Sequence, residues 1–329
     1  MFTSGIQALP RAVDYLRISI TDRCNERCLY CMPEGFKGWQ ERADILSYEE
    51  ILRVASVAAG MGFRKFRVTG GEPLVRKDVP GFVKRLSAIP GVRATGMTTN
   101  GTRLAPVADE LRQAGLRAIN ISLDALTPAV YRRITGGEIE PVLEGIKAAA
   151  AAGFECVKIN MVLIRGMNED EIWPIVHFAA EHRLVLRFIE LMPVSLTEML
   201  NEKNFLPVGD VQRTLSSRDR LLPLEKARLG HGPARYFRLE KTGVTVGFIG
   251  AITNLHFCEA CNKVRLTSDG KIRPCLGNHG EFDLKPALRG GGSDEDLAGI
   301  FAKALDEKPL EHLFRNNYRP DRIMTAIGG

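Results

Sequence analysis

No stretch of this sequence approaches the roughly 20 consecutive apolar residues that a membrane-spanning helix needs; the nearest are the short "AAAAAGF" and "VGFIGAI". The first residues, "MFTSGIQALPRAVDYLR", lack the unbroken apolar core of a secretory signal, because Arg11 and Asp14 interrupt any such run. A strong excess of one charge is also missing. Lys and Arg total 45 against 39 Asp and Glu, and the resulting +6 suits anionic ligands while falling well short of a nucleic-acid-binding composition. Low-complexity sequence is confined to the Gly-rich turn in "LRGGGSDEDLAG". These absences argue against export, a membrane and nucleic acid, and make the cytoplasm the expected location.

What is present is an ordinary folded composition. Over 329 residues, 45% are hydrophobic and 26% charged, enough for a large core and more than one small domain. Seven cysteines without a secretory signal point to a reducing compartment, where clustered thiols bind metal or do chemistry more often than they pair.

Between Leu16 and Pro193 one unit recurs: a short β-branched or alternating run, a polar loop, then a helical pattern. The strand candidates are "YLRISIT", "KFRVTGG", "TGMTTNG", "AINISLD", "VKINMVLI" and "LRFIELM". In "SYEEILRVASVAAGMG" Ser47 and Glu50 make a capping box, and Gly60 and Gly62 end the helix. Asn168 and Glu171 predict the same device in "NEDEIWPIVHFAAEH", with Pro174 early enough to be tolerated. Alternating strands and helices imply a parallel sheet with helices outside it. The expected class is α/β, an incomplete (βα)6 TIM-like barrel over residues 1–195; a flat doubly wound sheet is the competing arrangement. From 196 to 329 the rhythm changes to a C-terminal extension with a hairpin in "ARYFRLEKTGVTVGFIG" and a helix capped by Ser293.

The first cysteine group is "TDRCNERCLYCMPEG", with Cys24, Cys28 and Cys31 at C-x3-C-x2-C spacing just past the first strand. Such a density of thiolates suits soft metals or iron–sulfur clusters. A four-iron cluster held by three thiolates leaves one iron open to a ligand; zinc with a distant fourth ligand is the plainer alternative. The extension supplies a second group, Cys258, Cys261 and Cys275, at C-x2-C-x13-C. Here His279 makes a Cys3His zinc site a real competitor, and spacing alone leaves zinc and iron–sulfur level. Cys156 stands apart and reads as a core residue.

"CNERCLYC", followed one strand and helix later by Gly70 to Pro73 in "TGGEP", resembles the radical S-adenosylmethionine superfamily. The series "LRISITDRCNERCLYCMP", "FRVTGGEPL", "TTNG", "NISLD", "VKIN", "RFIELMP" and the terminal Gly-Gly runs over almost the whole chain and is similar to the GTP 3',8-cyclases of molybdenum cofactor biosynthesis. The resemblance implies two [4Fe-4S] clusters and S-adenosylmethionine as cofactors, the cofactor occupying the open iron of the first cluster and GTP that of the second. It implies a radical cyclisation of GTP to (8S)-3',8-cyclo-7,8-dihydroguanosine 5'-triphosphate. Implied partners are an electron donor and a downstream cyclic pyranopterin monophosphate synthase, with room for a homodimer. Rival readings are another radical enzyme acting on a peptide or RNA, and a noncatalytic zinc or iron–sulfur binding module.

Carried over position by position, the resemblance implies Tyr30, Gly71, Ser122 and Met192 at S-adenosylmethionine, and Arg17, Arg67, Thr98, Lys158, Lys263 and Arg265 at GTP. Lys263 departs from the family's usual arginine, exchanging a bidentate fork for a point charge. Glu26 departs too, where an aromatic is common, and is expected to face solvent. The terminal Gly-Gly is expected to reach toward the active site.

Overall fold

The computed structural model describes residues 11–224, 229 and 232–329. The strands β1 (Tyr15–Ser19), β2 (Lys65–Thr69), β3 (Ala94–Thr99), β4 (Ala118–Ser122), β5 (Cys156–Leu163) and β6 (Val185–Glu190) pair in parallel and in chain order. Between and after them run α1 (Tyr48–Gly60), α2 (Val79–Ser87), α3 (Ala108–Gln113), α4 (Pro128–Thr135), α5 (Glu140–Ala151) and α6 (Ile172–Glu181). Because the order never reverses, the sheet is wound in one direction, which excludes the doubly wound alternative. Period-two alternation sorts the side chains. On β1, Leu16 and Ile18 are fully buried in the core shared with the helices, whereas Tyr15 and Arg17 line the concave face.

The extension builds on the same sheet. It contributes α7 (Val208–Ser216), the strands β7 (Leu221–Pro223), β8 (Arg235–Leu239), β9 (Thr245–Ile249), β10 (Lys263–Leu266), β11 (Lys271–Arg273) and β12 (Phe282–Asp283), then α8 (Lys285–Arg289), α9 (Asp294–Asp306) and α10 (Met324–Ile327). Strands β8 and β9 form the expected hairpin, but β9 then adds to β6 in parallel, and β10 adds to β1 in parallel. The order β12-β11-β10-β1-β2-β3-β4-β5-β6-β9-β8-β7 leaves β12 and β7 at the two ends, so the barrel is not closed among the described residues. Outside, α9 packs on α1, with Phe301 edge-on to Phe63 at a centroid distance of 5.9 Å.

Local signals act where they were expected in α1 and α9. The Ser47 hydroxyl accepts from the Glu50 amide at 3.1 Å while Glu50 accepts from the Ser47 amide at 2.7 Å, a device worth about 1 kcal/mol. Ser293 and Asp296 repeat it at α9. Asn168 and Glu171 do not. Asn168 is fully buried, accepts from the Ile164 amide, and donates to the Asp124 and Val162 carbonyls, while Glu171 accepts from the Leu126 and Thr127 amides. Two tertiary loops outbid the helix end for the same side chains. No helix among the described residues is long and apolar enough to cross a membrane.

Two single-residue expectations are also corrected. Glu26 is buried, 3% exposed, with its carboxylate accepting from the Tyr131 hydroxyl at 2.6 Å. Cys156 is only partly buried, and its thiol accepts from the Lys158 ammonium at 3.0 Å on the same face of β5.

Candidate active site

The first cysteine loop leaves β1 and is pinned to the end of α4, where the Arg27 and Leu29 amides donate to the Thr135 and Ile134 carbonyls at 2.7 and 2.9 Å. The Cys31 and Met32 amides then turn back onto the Cys28 carbonyl. Gly70 and Gly71, after β2, press against this loop. The Gly71 amide donates to the Thr21 carbonyl at 2.7 Å, and a Cβ on Gly71 would lie 2.3 Å from the Arg23 carbonyl oxygen. These glycines are therefore demanded by the backbone of the cysteine loop itself, a tighter constraint than room for a ligand.

Acidic groups surround this end. Glu72 is buried and accepts from Thr99 Oγ1 and the Asn100 amide, tying β3 to the GGEP turn. Asp124, also buried, accepts from the Tyr30 hydroxyl at 2.6 Å and from the Val162 amide. Burial pushes Glu26 and Glu72 up to about 7 and Asp124 up to about 6. Burial likewise lifts the Cys24 thiol to about 12, and Cys28 and Cys31 well above the usual thiol range. At this end burial outweighs the nearby Arg27 and Arg103 and disfavours the charged forms of these groups.

The other end has the opposite character. Register places Arg265 of β10 beside Arg17 of β1, and Arg17 beside Arg67 of β2. Burial, followed by the neighbouring Arg265, presses Arg17 well below the normal guanidinium range. Burial also lowers Lys263 to about 8, Arg265 to about 10, and Lys158 and Arg187 below their ordinary values. Arg67 donates to the Tyr15 hydroxyl and the Met97 carbonyl, and Lys263 sits over the Tyr15 ring at 5.4 Å. Buried cations in this number need an anion.

Cys258 and Cys261 lie in the loop before β10, with the Cys261 amide donating to the Cys258 carbonyl at 3.0 Å, and Cys275 follows β11. Glu190, buried at the end of β6, holds the loop after β9 by accepting from the amides of Ile252 and Thr253. Burial raises Cys258 and Cys275; for Cys261 burial pulls the same way, but the Lys308 and Lys263 ammonium groups outweigh it and lower the thiol.

One cavity of about 360 Å3 joins the two ends, and every cysteine of both groups lines it. So do Tyr30, Gly71, Ser122 and Met192, and so do Arg17, Arg67, Thr98, Lys158, Lys263 and Arg265. Thr98 lies within β3. Its Oγ1 and the neighbouring Asn120 Oδ1 are buried without a hydrogen-bond partner, which is what a polar ligand's absence leaves behind. The terminal Gly329 lines the cavity as well. The Gly329 carbonyl accepts from Arg17 and from Thr69 Oγ1, and the Gly328 carbonyl accepts from Arg265.

The zinc alternative finds no support at either end. A tetrahedral ion with Zn–S of about 2.3 Å needs sulfurs only about 3.8 Å apart, and among the described residues no three His, Cys, Asp or Glu side chains converge to hold one ion. His279, the candidate fourth ligand, instead stacks on Tyr318 at 4.8 Å and faces Asp321 at 3.4 Å. Thiol triads of this kind suit iron–sulfur clusters.

Known proteins match both halves of the chain. The Radical SAM superfamily profile matches residues 18–179, and that of Molybdenum Cofactor Synthesis C matches residues 184–314. The GTP 3',8-cyclase of Moorella thermoacetica is 48% identical over 97% of this chain and 98% of its own length. The chain belongs to the GTP 3',8-cyclases of the radical S-adenosylmethionine superfamily. A second cyclase, from Heliobacterium modesticaldum, is 42% identical over 98% of this chain and 100% of its own. Among solved structures, Streptococcus suis SuiB bound to precursor peptide SuiA superposes with a TM-score of 0.64, covering 90% of this chain and 65% of that chain at 16% identity. At that identity the likeness speaks for the fold alone.

For this member of the cyclase family the cavity also contains residues that motif reading passed over. Tyr15, Glu26, Glu72, Asn120, Asn160, Arg187 and Tyr236 all line it. Arg187 was recognisable as one of two charges, with Glu190, in the otherwise apolar run "RFIELM", and Asn120 as a polar residue opening "NISLD". Tyr236 had no local signal, since it arrives from the hairpin strand β8.

Proposed function

We propose that this chain is a radical cyclase that converts GTP to (8S)-3',8-cyclo-7,8-dihydroguanosine 5'-triphosphate, the first step of molybdenum cofactor biosynthesis. The observation that carries this reading is a single cavity with a thiol triad at each end, ringed by buried carboxyl groups at one and by buried cations at the other.

In this reading Cys24, Cys28 and Cys31 hold one [4Fe-4S] cluster and Cys258, Cys261 and Cys275 the other. Tyr30, Gly71, Ser122 and Met192 surround S-adenosylmethionine, a cation that answers the acidic end. When bound, the cofactors supply the radical chemistry that opens an unactivated C–H bond at C3' of the ribose, a step beyond ordinary acid, base or nucleophilic side chains. The chain's own work is to hold and exclude. Arg17, Arg67, Lys158, Lys263 and Arg265 converge on the triphosphate from several strands, with Thr98 beside them, and fix the ribose relative to the acidic end. Lys263 contributes charge without the planar fork of an arginine, so orientation falls to Arg17 and Arg265. The buried walls and the Gly328–Gly329 tail keep water from the reacting centre.

The proposal includes a cytoplasmic setting, an electron donor, release of product to a downstream cyclic pyranopterin monophosphate synthase, and a homodimer as a permitted state. Anaerobic reconstitution tests its core. Iron for about two four-iron clusters per chain is expected, and S-adenosylmethionine, reductant and GTP should give 5'-deoxyadenosine together with a cyclised nucleotide. Deoxyadenosine formation that ignores GTP and responds to a peptide or RNA would move the chain to the rival substrate class.

A further inference from the structure

The segment between α9 and the tail brings two groups onto the second thiol triad that neither motif nor resemblance assigns. Lys308 is 4% exposed. Its ammonium donates to the Lys263 carbonyl at 2.9 Å and the Pro274 carbonyl at 2.6 Å, and lies 3.9 Å from Cys261 Sγ. Four residues on, the His312 amide donates to Cys258 Sγ at 3.4 Å, and the His312 ring is itself fixed by Nε2 on the Ala251 carbonyl at 2.8 Å.

A buried ammonium is costly unless something opposes its charge. The two carbonyls are neutral, so the group positioned to oppose it is Cys261 as a thiolate. Both carbonyls belong to residues flanking the triad, Lys263 two positions after Cys261 and Pro274 immediately before Cys275. Lys308 thus joins the two halves of the triad and sets a fixed positive charge against one sulfur. The first triad has the reverse surroundings, with Glu26 and Glu72 lining its end of the cavity and Asp124 behind them on the Tyr30 hydroxyl.

Charge and N–H donors beside cluster sulfurs stabilise the reduced, more negative state. Resting on the two-cluster reading above, we propose that Lys308 is a positioning residue of the second triad whose fixed ammonium raises the reduction potential of the iron–sulfur cluster held there. A hydrophobic side chain of similar length would fill the same space and lack this effect.

The test compares reconstituted wild type, Lys308→Met and Lys308→Arg by iron content and by redox titration with each cluster followed through its electron paramagnetic resonance signal. Lys308→Met should keep both clusters and shift the second midpoint to lower potential, with the first unmoved; Lys308→Arg should stay near wild type. An unchanged second midpoint with both clusters present overturns the inference, as does an equal shift of both. If Lys308→Met loses the second cluster, Lys308→Arg decides: retention at wild-type potential supports the charge, and loss in both variants overturns it. A wild-type chain that binds one cluster overturns the two-cluster reading itself, and the inference with it.

Discussion

The carbonyl of Gly329 accepts a hydrogen bond from the guanidinium of Arg17, a residue 312 positions earlier on β1. Gly328 makes the same bond to Arg265, so the terminus occupies two of the cations proposed for the triphosphate. Gly328 has φ of +89°, and a Cβ there would lie 2.8 Å from Ser19 Cβ, so Gly328→Val should expel the tail. Expulsion frees both guanidiniums and opens the cavity to water. We expect turnover to fall at least about tenfold with GTP affinity kept or improved and iron unchanged. Nucleotide binding and 5'-deoxyadenosine yield, measured separately, check this; full turnover with the tail displaced would remove it from the mechanism.

Gly96 makes room for a second cation. A Cβ at this position would lie 2.7 Å from Arg67 Nη2 and 3.2 Å from the Ala118 carbonyl. Gly96→Ala should therefore turn Arg67 away from the cavity and raise the KM for GTP by roughly five- to thirtyfold, the loss of one charge-assisted contact. The coupling is the sharper readout. Adding Arg67→Ala to Gly96→Ala should cost little more than either alone, because both remove the same interaction. Additive losses would show that Gly96 acts elsewhere.

What could be read in the sequence was what is encoded locally. The six barrel strands declared themselves by alternation, and α1 by the adjacent Ser47 and Glu50. Cysteine spacing marked both triads, since each loop must bring its own thiols together. What stayed hidden depends on partners far along the chain. Glu26 was expected in solvent because its partner, Tyr131, lies 105 residues away. Asn168 and Glu171 have the spacing of a capping box, yet Asp124 and the amides of Leu126 and Thr127 claim them. The docking of β10 on β1 pairs Tyr15 with Lys263, a contact no local pattern announces. The common cavity follows from that docking, so part of its lining was legible while the convergence of that lining was not.

Arg273, next but one before Cys275, is the largest fully buried side chain, and it anchors the segment leading to the tail. It donates to Glu281 at 2.9 Å, to the Asn278 carbonyl at 2.6 Å, to the Tyr318 hydroxyl at 2.9 Å and to Asp321 at 3.1 Å. Arg322 joins the same network through Glu281 and Asp269. Arg273→Met leaves Glu281 to Arg322 and Lys271 alone and takes the guanidinium from Asp321, the Asn278 carbonyl and the Tyr318 hydroxyl, which should cost about 1 to 3 kcal/mol. Tm should drop, and limited proteolysis should cut first between Tyr318 and the terminus. Uniform protection of that segment in the variant would show that the tail is held by packing alone.

Glu72 and Asp124 give the metal-free chain a pH signature. Burial raises Glu72 from 4.5 to about 7 and Asp124 from 3.8 to about 6. A carboxyl group raised on folding binds its proton more readily in the native state, so its stabilising contribution is complete below the unfolded pKa and is lost as pH climbs through the folded one. Each shift corresponds to on the order of 3 kcal/mol across that window. His312, lowered by burial, acts in the opposite sense as pH falls below its ordinary range, but it is one group against three, since burial raises Glu26 to about 7 as well. The Tm of the metal-free chain should therefore rise as pH is lowered from about 7.5 to about 5.5. Glu72→Gln, which keeps the shape without a titrating proton, should flatten the slope and raise stability most at the alkaline end. A Tm that falls steadily over this range in the wild type would mean that Glu72 and Asp124 keep their ordinary values, and that the acidic end of the cavity has another source of positive charge.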